Sequence, residues 1–176
     1  MKKIKNLCES DFLKVFFAFY TACFLVAAPL MPDRSEMFTG LWEIISTPGK
    51  ASTSCFAIGG YAATFLNMGL VGVICLALFV GLKAKANNAS TLAFILTVGF
   101  GSWGIHILNV WPTFAGVALY CLVKKEKLAD NVNAFLFSTG IAPLITDLMI
   151  RYPNMEVIGF NLPGIGLSIL VGLTIG

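Results

Sequence analysis

Long apolar runs, separated by short polar segments, dominate the pattern of this 176-residue chain. A membrane-spanning helix needs about 20 consecutive apolar residues, because the hydrocarbon core of a bilayer is about 30 Å thick. Measured against that length, the runs predict a polytopic bundle of transmembrane helices, all-α in class and in one domain over residues 1–176. Six predicted segments cover about residues 12–31, 57–82, 90–108, 110–123, 133–150 and 164–176.

The uncharged run 86–123 has two interpretations. As continuous helix its 38 residues would extend about 57 Å, but Pro112 interrupts the ladder of backbone hydrogen bonds directly after Trp111. Its second arm, 112–123, has only 12 residues. The run is therefore either a tight hairpin of two helices or a re-entrant loop, so broken or re-entrant helices are part of the predicted fold.

Two other stretches are too short to span a membrane. Phe38–Ile45 predicts a short interfacial helix with Trp42 at the level of the lipid headgroups. The last segment has 13 residues after Pro163, about 20 Å of helix, and no charge follows it. We therefore expect the chain to be the first part of a longer protein.

Composition places the chain in the same class. It is 57% hydrophobic and only 12% charged, whereas soluble domains carry about 25% charged residues. The net charge of +3 does not indicate nucleic acid as a partner. The five cysteines are scattered and form no metal-binding or disulfide pattern. The sequence also has no nucleophile elbow, H-E-x-x-H motif or paired catalytic carboxylates, so no metal, cofactor or catalytic residue is expected.

The basic residues predict orientation in the bacterial inner membrane. A cytoplasmic N-terminus places nine of the 12 lysines and arginines on the inner side. The outer side then holds three: Arg34, Lys50 and Arg151. Because cytoplasmic loops carry an excess of Lys and Arg, this arrangement is the expected one.

Polar side chains recur within the apolar runs at helical spacing, which makes them candidate site residues. Thr64 and Asn67 share a face with Gly60, and a second face holds Ser102, His106 and Asn109. One interpretation is that they join helices by hydrogen bonds. The other is that they line a pore or bind a solute beside the helix break at Pro112, since transporters use such breaks.

The fifth segment adds three more candidates. Pro143 would deprive the carbonyl of Thr139 of its helical partner, which predicts a further free acceptor for a solute. Asp147 lies well inside the apolar run of the fifth segment, but Arg151 follows it at i+4. An ion pair near the helix end therefore accounts for both charges.

Two glycine-rich stretches carry a resemblance to a known family. They are Phe56–Leu70 and Gly99–Gly104, the latter continuing into Asn109–Pro112. They resemble an uncharacterised bacterial membrane family, domain of unknown function 1576, over most of residues 40–176. The resemblance implies members about twice this length, with a second half that echoes the first. It implies no site residues, because the family's activity is not established.

The sequence therefore favours half of a two-repeat transporter or channel for a small polar or ionic solute, and not an enzyme. The expected partners are membrane lipids, the solute, the C-terminal half of the same protein and further copies of the chain. Two alternatives stay open. A membrane-embedded enzyme on a lipid-linked substrate should show a nucleophile, metal set or acid pair. A scaffold subunit should show its polar groups paired between helices, with no water-filled cavity.

Overall fold

The computed structural model describes residues 2–48, 54–152, 154–157 and 160–176. Its α-helices are α1 (Lys2–Ala27), α2 (Met37–Ser46), α3 (Cys55–Gly81), α4 (Asn88–Phe100), α5 (Trp111–Lys124), α6 (Val132–Ser138), α7 (Ala142–Arg151) and α8 (Gly164–Ile175). Short 3₁₀ turns cover Ala28–Leu30, Arg34–Glu36, Leu128–Asn131 and Thr139–Ile141. The predicted helical bundle is confirmed.

One element lies outside the all-α prediction. Strands β1 (Asn154–Val157) and β2 (Phe160–Pro163) form an antiparallel pair between α7 and α8, with Asn154 opposite Pro163. Four-residue strands in a connection give too short an alternation of polar and apolar positions to stand out in the sequence.

Within the described residues, three stretches are long and apolar enough to cross a bilayer: Glu9–Leu30, Cys55–Gly81 and Leu128–Arg151. Two shorter apolar helices, α4 and α8, accompany them. Large apolar side chains such as Phe12 and Leu122 are about 70% exposed, which suits contact with lipid and not with water. The chain is a helical membrane protein.

The first turn of α3 is separated from the rest by a kink at Gly60, where φ is 78° and ψ is −175°. Only glycine adopts this backbone readily, and an added Cβ would also collide with Asp33. The Asp33 carboxylate accepts the N–H of Tyr61 (2.7 Å) and of Ala62 (3.2 Å). A carboxylate therefore caps a helix running from Tyr61 to Gly81, about 31 Å long.

Helices α4 and α5 form a hairpin with both arms shorter than a membrane span. The arms have 13 and 14 residues, about 20 and 21 Å. The Asn87 side chain caps α4 by accepting the N–H of Ser90 at 3.0 Å, and α5 ends at Lys125 in the left-handed conformation. Both arms end beside the turn Leu128–Asn131. The hairpin therefore begins and ends at one end of the bundle, and α6 contacts both of its arms.

Aromatic rings join α1, α3 and α4 in the core. Phe17 is fully buried and stacks on Phe94 with centroids 4.3 Å apart, while Phe79 lies 5.3 Å away. Small residues bring other helices close. A Cβ on Gly116 of α5 would lie 2.7 Å from the carbonyl of Gly172 in α8. The bundle thus encloses the hairpin on several sides.

Candidate functional site

The tip of the hairpin, residues 101–110, is irregular backbone, and α3 holds one side of it. The Nδ2 of Asn67 donates to the carbonyls of Gly101 and Ile105, both at 2.7 Å. The N–H of Cys55 donates to the carbonyl of Ser102 at 2.9 Å. Asn67 lies six residues below Tyr61, about 9 Å along the helix. The tip is therefore inside the membrane-spanning length of α3.

A buried trio of His106, Asn109 and Thr146 holds the other side of the tip against α7. The Nδ2 of Asn109 donates to the Thr146 hydroxyl at 2.9 Å and to the Gly104 carbonyl at 2.8 Å. Its Oδ1 accepts the N–H of His106 at 2.9 Å. One asparagine thus satisfies groups of the tip and of α7 together.

The imidazole of His106 completes this trio. Its Nε2 lies 3.0 Å from the Thr146 hydroxyl, and its Nδ1 accepts the N–H of Leu108 at 3.3 Å. A backbone N–H can only donate, so Nδ1 carries no proton and the proton resides on Nε2. In this arrangement the imidazole is neutral and donates to Thr146. Protonation of Nδ1 would break the bond to Leu108.

The predicted site residues divide into two groups. Asn67, His106 and Asn109 meet at the tip, with Asn67 on the α3 side and the other two on the α7 side. Thr64 and Ser102 instead donate to carbonyls of their own segments, Gly60 at 2.6 Å and Gly99 at 2.7 Å. In the described ranges, neither of these two side chains forms a hydrogen bond with Asn67, His106 or Asn109.

The prediction that the carbonyl of Thr139 is free is wrong. The backbone tightens into a 3₁₀ turn before Pro143, and the N–H of Ala142 donates to the Thr139 carbonyl. The Thr139 hydroxyl donates to the carbonyl of Leu136 at 2.6 Å. A change from i+4 to i+3 pairing therefore replaces the bond that proline removes.

Thr146 is the residue that the sequence did not single out. A threonine in an apolar helix carries no special signal. However, Thr139 and Thr146 are seven residues apart, about two helical turns, and this spacing places them near one face. Asp147 and Arg151 form an ion pair at 2.9 Å across one turn, as their i+4 spacing predicts.

A groove of about 340 Å³ opens beside the tip, between the tip and the 3₁₀ break that separates α6 from α7. Gly104 has a φ of 102°, and a Cβ added there would lie 3.4 Å from the ring of Pro143. The tip and Pro143 are therefore in close contact. None of the six predicted site residues lines this groove. Its walls are Phe100, Trp103, Ile105, Gly140, Ile141, Pro143 and Leu144.

One buried acceptor in this region has no partner among the described residues. The side chain of Asn67 is fully buried, and its Oδ1 accepts no hydrogen bond there. Its amide orientation is fixed, because exchanging N and O would place the oxygen against two carbonyls. The tip region therefore retains a polar atom that a water or a solute could satisfy.

Residues 33–176 match the model of one protein family, described as protein of unknown function (DUF1576). The match covers most of the chain, which therefore belongs to this family, as the glycine-rich stretches indicated. No curated protein and no solved structure matches the chain.

Proposed function

We propose that the chain, as a member of the DUF1576 family, forms part of a transporter or channel for a small polar or ionic solute in the bacterial inner membrane. One observation carries this proposal. The irregular tip of the hairpin packs against the break between α6 and α7, and the groove lies between these two breaks. Both breaks belong to stretches that are otherwise apolar helix.

Irregular backbone is costly at membrane depth, because hydrocarbon offers no hydrogen-bond partners. It is tolerated where it is buried in protein or lines a cavity. Transporters place discontinuous helices of this kind around their solute sites. A groove walled by two such breaks, with Trp103 about half exposed in its wall, is consistent with a solute path.

The polar residues then act indirectly. Asn67, His106 and Asn109 are at most 3% exposed and bond the tip to α3 and α7. We assign them the role of positioning residues that fix the shape of the groove wall. Solute contacts would come from the wall itself and from backbone groups of the tip.

Orientation and partners belong to the same proposal. The charge bias supports a cytoplasmic N-terminus. The groove opens on the surface of the described bundle, so a second half of the protein or another copy of the chain would complete the path on its open side.

The experiment fills the groove. Gly140 lies in the groove wall, and an added Cβ there meets nothing within 4 Å, so Gly140→Phe should fold and obstruct the path. Gly166→Phe on α8 is the matched control, because its Cβ position is equally open and lies outside the groove wall. The full chain is reconstituted in liposomes, and flux of glycerol, urea, glycine and potassium is measured by swelling and by ion-sensitive dyes.

We expect flux for at least one solute, lowered at least tenfold by Gly140→Phe and unchanged by Gly166→Phe. Equal flux in both folded variants would show that the groove is not the path. Absence of flux across the panel, in liposomes that also contain the part of the protein that completes the path, would favour a second candidate, a scaffold subunit.

That scaffold candidate is supported by the pairing of His106, Asn109 and Thr146 among themselves. His106→Ala separates the two functions. In a transporter it should lower flux per folded protein, whereas in a scaffold it should lower only thermal stability.

A further inference from the structure

A second groove, of about 280 Å³, lies at the lysine-rich end of the bundle, which we define by Lys83, Lys85, Lys124 and Lys125. The loop between α3 and α4 forms one wall, and the turn that leads into α6 forms the other. Its lining is Lys83, Ala84, Lys85, Asn87, Ala129, Asp130, Val132 and Asn133. None of these residues takes part in the hairpin tip.

The loop presents its polar side chains on one side. Lys83, Lys85 and Asn87 are exposed, and the alanines between them are buried at 1% and 6%. Exposed and buried side chains therefore alternate along this loop. Both ammonium groups therefore belong to the exposed face of the same loop.

Two hydrogen bonds donated by backbone N–H groups of this loop fix it in place. Lys83 is left-handed at φ of 52°, and the next N–H, of Ala84, returns to the carbonyl of Phe79 at 2.9 Å. The N–H of Ala86 donates to the Ser10 hydroxyl of α1 at 2.9 Å. The lysines are thus carried on a backbone that the bundle holds in place, which lowers the entropic cost of binding a ligand.

The facing wall contributes an acid and an amide. Asp130 is exposed and Asn133 is half-buried. With Lys83 and Lys85, the groove has a formal charge of +1. It combines cations for an anionic group with a carboxylate that can accept from a hydroxyl.

We propose that this groove binds the headgroup of an anionic glycerophospholipid whose head bears hydroxyls, of the phosphatidylglycerol type. The lysines and the Asn133 amide bind the phosphate, and Asp130 accepts from the glycerol hydroxyls. Charge complementarity supports this occupant, since a singly negative head matches a groove of +1. Basic pockets between the ends of membrane helices bind lipid heads in this way.

Position favours a lipid over a free anion. The groove lies where α3 ends and where α4 and α6 begin, which is the level of the headgroups for helices that span the bilayer. Exposed apolar side chains occur on the turns of α3 and α4 that adjoin this loop in the sequence. Val80 on α3 is 60% exposed and Leu92 on α4 is 57% exposed, and these give acyl chains a surface to lie on.

The test uses the purified full chain in a neutral detergent. Thermal unfolding is followed with four added probes: dioleoyl phosphatidylglycerol, dioleoyl phosphatidylcholine, glycerol phosphate and inorganic phosphate. Native mass spectrometry counts the lipids retained. The test variant is Lys83→Gln with Lys85→Gln. Its matched control is Lys124→Gln with Lys125→Gln, which removes the same charge at the same end but outside the groove.

We expect phosphatidylglycerol alone to raise the melting temperature. Each lysine near an anionic lipid contributes roughly fivefold in affinity, so the test variant should weaken binding about 30-fold. The control variant should bind as the wild type does. The single variant Lys85→Gln, with an intermediate loss, serves if the double variant does not fold.

Three outcomes overturn the proposal. An equal loss in both double variants would indicate a diffuse charge effect over the whole lysine-rich end. An equal shift with inorganic phosphate would indicate a site for free anions. No shift with phosphatidylglycerol would mean that the groove does not bind this lipid.

Discussion

Replacement of Asn67 by leucine tests whether the tip of the hairpin depends on this one amide. Leucine keeps the branched shape of asparagine and suits the apolar surroundings of α3, but it is larger, so overpacking adds about 1–3 kcal/mol to the cost. The change removes two hydrogen bonds of 2.7 Å, to the carbonyls of Gly101 and Ile105. Asn67 is the donor that the described structure shows for both carbonyls.

The magnitude follows from these contacts. Side-chain hydrogen bonds between membrane helices contribute about 0.6 kcal/mol on average and about 1.7 kcal/mol at most. Two short, buried bonds therefore contribute about 1–3 kcal/mol. Leucine also removes Oδ1, which has no partner in the described structure, and this returns up to about 1 kcal/mol. With the overpacking cost included, we expect a net loss of about 2–4 kcal/mol, a factor of about 30–900 in the unfolding equilibrium.

The assay is reversible unfolding of the purified chain in mixed micelles, followed by circular dichroism. Asn88→Leu is the control, because Asn88 is exposed at the start of α4 and its replacement should stay within about 0.5 kcal/mol. Wild-type stability of Asn67→Leu would refute the claim that this amide holds the tip.

Three further predictions concern the kink, the trio and the orientation. Gly60→Ala should lower the free energy of unfolding by more than about 2 kcal/mol in the same assay, because a Cβ at φ of 78° meets Asp33. The control is Gly81→Ala, whose Cβ meets nothing within 4 Å and which should change stability by less than about 0.5 kcal/mol. Thr146→Val keeps the shape but removes the hydroxyl shared by the histidine and asparagine of the trio, and should cost about 1–2 kcal/mol; an unchanged melting curve would contradict that pairing. A cysteine at Asn88, in a background without other cysteines, should react with an impermeant maleimide only after cells are opened, and labelling of intact cells would reverse the proposed orientation.

The spans of the bundle were predictable because they rest on local composition. A run of apolar residues bounded by charges determines that a helix is stable in hydrocarbon, and length determines whether it crosses. The main spanning stretches Glu9–Leu30 and Cys55–Gly81 could therefore be inferred without any knowledge of their neighbours. The place of the break was not predictable in this way: Pro112 lies in the first turn of α5, where proline is tolerated, and the irregular backbone comes before it, so the predicted helix 90–108 ends at Phe100.

The arrangement at the tip depended on tertiary contacts. The sequence indicated that Asn67 and His106 need partners, but the partners lie 34 to 40 residues away. Which carbonyl or hydroxyl each side chain reaches depends on how helices rotate and pack, and periodicity alone does not contain that information. Thr146 was missed on these grounds, because only its position opposite the tip distinguishes it from other threonines.

The carbonyl of Thr139 shows the same division on a smaller scale. Because proline has no N–H, the presence of Pro143 alone predicts that the Thr139 carbonyl loses its helical hydrogen bond. Whether the carbonyl stays free or finds another donor depends on the backbone between them, which tightens so that Ala142 donates. Likewise, the sequence of residues 86–123 indicated an interrupted helical pair, but only the structure showed that both arms lie beside Leu128–Asn131. The sequence alone determines where helices form, because that preference is local. The packing direction of each helix and the hydrogen-bond partner of each polar side chain are decided by contacts between segments distant along the chain.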